Sequence, residues 1–287
     1  MTSGSSAPHF KAALVQLCSG RDVAANIAAA SDLIRAAAAV GAQYIQTPEN
    51  TQLMELEKPR LMAELQPEKN NRALDAFSAL ARDLKRWLHI GSVGVKCDDG
   101  RIANRSFVFA PDGEIAARYD KIHMFDVDLG NGEAYRESET FQPGTEAVIA
   151  DLPWGGLGLT ICYDLRFPAL HRALAQAGAQ MIAGPAAFTR VTGEAHWNTL
   201  LRARAIEAQC FVLAAAQGGR HENGRETFGH SLIIAPWGEI LAEANTEPGF
   251  VTADIDLARV AEARRKVPSL THDRLFTVAR AKSLAQV

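Results

Sequence analysis

Apolar and polar residues alternate through KAALVQLC (11–18), as they do in a half-buried strand, and the period then changes. From 22 to 40, DVAANIAAASDLIRAAAAV repeats its apolar positions at helical spacing, and AQYIQ (42–46) returns to strand character. NRALDAFSALARDLKRWL (71–88) predicts a second helix and HIGSVGV (89–95) a further strand. The succession then recurs. LGLTIC (157–162), PALHRALAQAG (168–178), AQMIAG (179–184), EAHWNTLLRARAIEAQ (194–209) and CFVLAAA (210–216) read strand, helix, strand, helix, strand. DLARVAEARRKV (256–267) predicts a last amphipathic helix.

Two segments match directly between the halves. VGAQYIQTPEN pairs with AGAQMIAGPAA, with GAQ at 41–43 and 178–180, and SFVFAPDGEIAAR from Ser106 pairs with SLIIAPWGEILAE from Ser231. In the second pair, Pro-Asp-Gly and Pro-Trp-Gly put turn chemistry between apolar runs, which predicts β-hairpins. Two strand-rich halves with helices between strands are satisfied by two sheets packed face to face, each covered outside by helices. The expected fold is therefore α/β, a four-layer α-β-β-α sandwich with an internal pseudo-two-fold repeat. A doubly wound sheet is the alternative, and the hairpins argue against its all-parallel arrangement. Residues 1–9 are expected to form a disordered tail and 10–287 a single domain, because no linker separates the halves.

Composition narrows the function. With 287 residues and 47% hydrophobic content, the chain can bury a substantial core. Its 30 Lys+Arg against 33 Asp+Glu leave no excess of charge pointing to nucleic acid or an anionic membrane, so a small-molecule partner is expected. No apolar run approaches the roughly 18 residues of a membrane span, and the first residues lack a secretory pattern, so a cytoplasmic protein is expected. Cys18, Cys97, Cys162 and Cys210 form no C-x-x-C pair and show no zinc spacing. Free cysteines are most often small buried hydrophobes, and any reactive one must differ from the rest.

Chemistry should lie where one half carries a polar residue that the other lacks. At the end of the GAQ strand the first half has Pro48-Glu49 and the second has Pro185-Ala186. After its hairpin the first half continues as RYDKIHMFD, containing Lys121. Strands end in cysteine in both halves, but Cys18 is followed by SGRD, whereas Cys162 is followed by YDLRFP, a turn before a helix opening near Pro168. Such a junction lifts a nucleophile out of a sheet and offers the following N–H, that of Tyr163, to an oxyanion. A thiol, a carboxylate and an ammonium at converging strand ends are the parts that acyl transfer needs.

With TPEN around Glu49, YDKIHMFD around Lys121 and GLTICYDLRFP around Cys162, the sequence resembles the nitrilase superfamily of carbon–nitrogen hydrolases over nearly its whole length. The second half, with FTRVTGEAHWNTLLRARAIEAQCFVLAAAQGGRHE, is similar to the branch that acts on deaminated glutathione. The resemblance implies Cys162 as nucleophile, Glu49 as base, Lys121 as oxyanion partner and a second glutamate, matched by Glu137, that assists. It also implies a homodimer or an assembly of dimers, and no metal or organic cofactor. Thr47 departs from the apolar residue that relatives often carry before Pro48-Glu49, which bears on packing. For substrate binding, Arg166 is the first candidate, either meeting a substrate carboxylate or bracing Asp164, and Phe188 and Thr189 are expected to line the pocket. His196 and Trp197 read as helix-packing residues.

The implied reaction is hydrolysis of the C–N bond of a small carboxamide through a thioester. An ordinary thiol, with pKa about 8.5, needs a base such as Glu49 to act near neutrality. ω-Amidase and N-carbamoyl amide hydrolase activities stay open. So does a non-catalytic binding protein in which Cys162 is merely buried. A metallohydrolase using His221 and His230 is disfavoured, because no H-E-x-x-H or H-x-H pattern is present.

Overall fold

The structure, a computed structural model, describes residues 9–130 and 132–280. The expected tail at 1–8 lies outside the described residues, whereas His9 is already the first residue of strand β1 (His9–Gln16), paired with Asp256.

Strand β1, read from its alternation as half-buried, is instead buried on both faces from Ala12 to Gln16, because its sheet is covered on either side. Phe10, Ala12 and Leu14 point into one apolar cluster and Ala13, Val15 and Leu17 into another. The second cluster takes in helix α1 (Val23–Ala39), which buries Val23, Asn26, Ala30, Ile34 and Ala37 at intervals of three and four. Asp22 starts that helix by accepting hydrogen bonds from the N–H groups of Ala24 and Ala25. A larger side chain such as Ile34, fully buried, contributes roughly 1.5–3 kcal/mol, and each alanine methyl roughly 0.8 kcal/mol.

After α1 come β2 (Tyr44–Gln46), the short α2 (Lys58–Glu64), α3 (Arg72–Leu84) and β3 (Trp87–Lys96). The helix expected over 71–88 is shorter because Lys85 takes left-handed backbone at φ 54 and ends it, and Trp87 and Leu88 already belong to β3. The hairpin β4 (Ile102–Phe109) and β5 (Ile115–Asp120) closes the first half. The second half runs β6 (Ile149–Leu152), β7 (Gly155–Leu159), α4 (Pro168–Gln176), β8 (Ala179–Ala183), α5 (Arg190–Ala208) and β9 (Phe211–Ala214). It ends with the hairpin β10 (Leu232–Ile234) and β11 (Ile240–Glu243), then β12 (Gly249–Asp256) and α6 (Ala258–Lys266).

The repeat read in the sequence is a repeat of topology. One sheet has the order β12-β1-β2-β3-β4-β5 and the other β6-β7-β8-β9-β10-β11. In each, an antiparallel edge strand precedes three parallel strands and an antiparallel hairpin. The sheets share one core in which Phe10, Leu14 and Tyr44 meet Leu159, Met181 and Leu213. Helices α1 and α3 cover the outside of the first sheet, and α4 and α5 the outside of the second. The four-layer α-β-β-α sandwich therefore stands. One strand crosses between halves: β12 comes from the end of the second half and pairs antiparallel with β1.

Candidate active site

Glu49 follows β2 on a backbone tied from several sides. Ser92 N–H donates to the Pro48 carbonyl, and Gln217 Nε2 donates to the carbonyl of Glu49 at 2.9 Å. Gly91 packs beneath this turn so closely that a Cβ there would lie 2.2 Å from the Thr47 carbonyl and 2.4 Å from Pro185. The Thr47 hydroxyl, polar where an apolar residue was the alternative, meets Thr51 Oγ1 at 2.8 Å and accepts from Gly91 N–H.

Lys121 immediately follows β5. Its N–H donates to the Asn104 carbonyl on the neighbouring strand, and its side chain is buried. Lys121 Nζ donates to Glu49 Oε1 at 3.0 Å and to both oxygens of Glu137, at 3.0 and 2.8 Å. Asn104 Nδ2 spans the same two carboxylates at 3.0 and 3.3 Å. The second Glu49 oxygen accepts from the N–H of Ala187 at 3.0 Å, and Glu137 also accepts from Phe125 N–H at 2.7 Å. Glu49, buried and held by three donors, is fixed in place and kept ionised.

Cys162 ends the extension of β7 and enters left-handed backbone at φ 50, an unfavourable conformation for a residue with a Cβ. Two sets of contacts hold it there. Its N–H donates to the Pro185 carbonyl at 2.8 Å, and a single 3₁₀ turn, Cys162–Arg166, follows. Within that turn the fully buried Asp164 accepts from Ile161 N–H at 2.9 Å, Tyr119 Oη at 2.6 Å, and His123 through both its N–H and Nδ1, at 3.0 and 2.7 Å. Asp164 thereby ties the cysteine turn to the segment that carries Lys121. Tyr163 N–H has no acceptor among the described residues.

The three side chains share one cavity of about 320 Å³, which Glu137 and Asn104 also line. Burial pushes the Cys162 thiol well up, the Glu49 carboxylate adds to this, and the Lys121 ammonium opposes it. Burial also tends to raise Glu49, but the Lys121 charge and the hydrogen bonds prevail and hold it below the ordinary glutamate value. Burial disfavours the Lys121 ammonium, yet Glu137 and Glu49 outweigh it and keep it charged. At rest the site therefore holds a neutral thiol beside an ionised carboxylate and an ammonium, the starting state for proton transfer coupled to attack.

The expected binding residues fare unequally. Arg166 and Phe188 line the cavity, and the Arg166 guanidinium lies 5.2 Å from the Phe188 ring centroid. Arg166 does not brace Asp164, whose acceptor positions are filled as described; its nearest polar partner is His196 Nδ1 at 3.3 Å. Thr189 does not line the cavity. It is the N-cap of α5, which begins at Arg190 rather than near 194, and its hydroxyl is used on Thr192. Thr192, one turn further on, lines the cavity in its place. Trp197 packs as expected, buried and donating to the His230 carbonyl, whereas His196 is exposed.

Sequence reading missed Asn104, Arg225 and Tyr135. Asn104 was within reach of the half-against-half comparison, since two residues before the matched serines the first half has Asn104 and the second has Gly229. Arg225 lies in HENGRE, which reads as a solvated turn, and only tertiary folding brings it to the cavity. His221 engages Ser19 and Thr227 through its two ring nitrogens, and among the described residues no group of three His, Cys, Asp or Glu is placed to hold a metal ion.

Residues 11–265 match the family described as carbon-nitrogen hydrolase. The deaminated glutathione amidase of Yersinia enterocolitica is 42% identical over 268 residues, which cover 92% of this chain and 93% of that one. The omega-amidase NIT2 of Bos taurus is 37% identical, covering 96% and 99%. The crystal structure of the C. elegans NitFhit protein matches with a TM-score of 0.87 at 35% identity, over 94% of this chain and 66% of that longer one.

Proposed function

The chain belongs to the carbon-nitrogen hydrolase family and is an amidase acting on non-peptide amides, and we propose that it cleaves deaminated glutathione with Cys162 as nucleophile. The supporting observation is the Lys121 ammonium, shared by Glu49 and Glu137 in the cavity that Cys162 lines.

As Sγ attacks the amide carbonyl, Glu49 takes the thiol proton. The oxygen of the tetrahedral species is stabilised by Lys121 Nζ and Tyr163 N–H. Glu49 then returns the proton to the departing nitrogen, the C–N bond breaks, and a thioester remains on Cys162. Water, deprotonated by Glu49, attacks the thioester, and collapse of the second tetrahedral species expels the thiolate, which recovers its proton. One carboxylate serves both half-reactions because it alternates between its two protonation states. Glu137, a positioning residue, keeps Lys121 charged and oriented. Arg166, Phe188 and Thr192 contact the acyl part of the substrate, with the guanidinium meeting the carboxylate beside the keto group.

The 42% identity to a deaminated glutathione amidase supports this substrate. The similarity to an omega-amidase supports a second one, α-ketoglutaramate, which carries the same acyl part. Side-by-side kcat/KM values for these two and an N-carbamoyl amino acid test the reading. Deaminated glutathione is expected to be turned over most efficiently, and a clear preference for the carbamoyl compound would overturn it.

We further propose a homodimer or an assembly of dimers, working in the cytoplasm. Among the described residues no helix is long and apolar enough to cross a membrane, and all four cysteines are free. Exposed Ile206 on α5, with Trp237 and Val267, supplies apolar surface on the outer layer of the second sheet. Light scattering on the purified full chain tests this, and a monomeric mass across the micromolar range would contradict it.

A further inference from the structure

The charges around the cavity do not balance. Its three carboxylates are all engaged, Glu49 and Glu137 by Lys121 and Glu55 by Arg21. Four other cations line it, Lys58, Arg136, Arg166 and Arg225, and none of them has a carboxylate partner among the described residues. Lys58 and Arg136 are exposed and solvated, whereas Arg166 and Arg225 are half-buried. A half-buried guanidinium without an anion is left short of the partner that its geometry suits.

Of the two, Arg225 is the one with a buried donor left unpaired, although its Nη1 also lies 3.9 Å from Met54 Sδ. Its Nη2 donates to the Ala187 carbonyl at 2.6 Å and its guanidinium lies 5.3 Å from the Tyr135 ring centroid. Its Nε is buried and has no acceptor. The loop that carries it is fastened from outside: Asn223 Nδ2 donates to the Met54 carbonyl, and Asn223 Oδ1 accepts from the N–H of Arg225. The guanidinium is thus held over the cavity wall by a built loop.

Its position also indicates which end of a substrate it faces. Ala187, whose carbonyl binds Arg225, gives its N–H to Glu49. Arg225 is therefore one residue away from the group that protonates the departing nitrogen, whereas Arg166 stands on the Cys162 turn, beside the carbon that becomes the acyl group. We infer that Arg225 is a specificity-determining residue that binds a carboxylate on the departing, amine side of the substrate, so that the site selects amides with an anion at each end. This rests on the function proposed above and goes further by assigning a second anion position and the residue that reads it.

The test compares deaminated glutathione with its C-terminal carboxamide, which lacks only the leaving-group carboxylate, in the wild type, Arg225→Gln and Arg225→Lys. The wild type is expected to prefer the acid by at least tenfold in kcat/KM, mainly through KM. Arg225→Gln should reduce that preference to about twofold or less, and Arg225→Lys should restore part of it. A loss of rate on both compounds with the preference unchanged, in both variants, would mean that Arg225 only supports the Ala187 backbone, and would overturn the inference while leaving the proposed function intact. If the wild type turns over neither compound, the proposed function fails and this inference falls with it.

Discussion

Two strands of this protein lead into a cysteine, at related places in the two halves, and only one of these thiols has the surroundings of a nucleophile. Cys162 turns into left-handed backbone and shares a cavity with an ionised glutamate and a lysine. Cys18 follows β1 without that turn and lies 3.7 Å from His221 Nδ1, a distance that at first suggests a thiol–imidazole pair. The imidazole is already committed. Nδ1 is 2.8 Å from the Ser19 carbonyl and so must carry its proton, which leaves Nε2 to accept from the Thr227 hydroxyl at 2.7 Å. No lone pair remains for the Cys18 thiol, whose pKa burial raises, with Glu247 and Glu222 adding to the shift. Ala186 follows Pro185 where Glu49 follows Pro48. A duplicated scaffold thus supplies the strand end twice, but reactivity requires a free base and a cation as well, and the first half provides both to the thiol of the second.

The largest separation between the halves should come from removing each thiol. Cys162→Ala is expected to lower kcat/KM by at least about 10⁴-fold and Cys18→Ala by less than about twofold, since a nucleophile is not replaced by its neighbours. Steady-state kinetics of the two variants decide this, and comparable losses would erase the distinction. Next in size, Lys121→Met should reduce kcat by about 10²–10³-fold, the usual cost of one oxyanion donor, with circular dichroism confirming the fold.

Asp164 marks another difference, because Gly20 stands two residues after Cys18 where Asp164 stands two after Cys162. Asp164→Ala leaves four donors without their acceptor and should destabilise the protein by about 2–3 kcal/mol. Thermal melting measures this, and an unchanged midpoint would mean that the Cys162 turn holds without that support. A smaller contrast lies in reactivity: substoichiometric iodoacetamide should alkylate Cys162 several-fold faster than Cys18, Cys97 or Cys210, as peptide mapping would show. Preferential labelling of Cys18 would reverse the comparison.

The smallest effect concerns pH. Because Glu49 is held below its ordinary value, it stays ionised on acidification past about pH 4.3 and becomes protonated only below that. The acid limb of kcat/KM should therefore lie below pH 4.3. With the thiol pushed up, no basic limb should appear near pH 8.5. An acid limb near pH 6 would show that Glu49 is raised instead.

Much of this was legible in the chain because it is encoded locally. The strand at 11–18 was legible as a strand, though not its burial on both faces, which other elements supply, and the Pro-Asp-Gly and Pro-Trp-Gly turns gave both hairpins. The difference between matched segments pointed to Glu49 and Lys121, and the turn after the strand pointed to Cys162. What could not be read is non-local. Strand β12 finds its partner β1 across most of the chain, and nothing in GFVTADID specifies that pairing. Glu137 lies on a single 3₁₀ turn without periodicity, so its place against Lys121 came from resemblance alone. Thr189 was misplaced because the start of α5 was expected four residues late, and a helix beginning at Arg190 turns Thr189 into a cap and brings Thr192 to the cavity.

The most direct test of a thioester built on Cys162 is to quench the wild-type enzyme in acid during turnover of deaminated glutathione and map its peptides by mass spectrometry. The peptide containing Cys162 should carry the mass of the acyl part, and the adduct should disappear once substrate is exhausted. Steady turnover with no such adduct, by an enzyme whose Cys162→Ala variant remains active, would contradict the account.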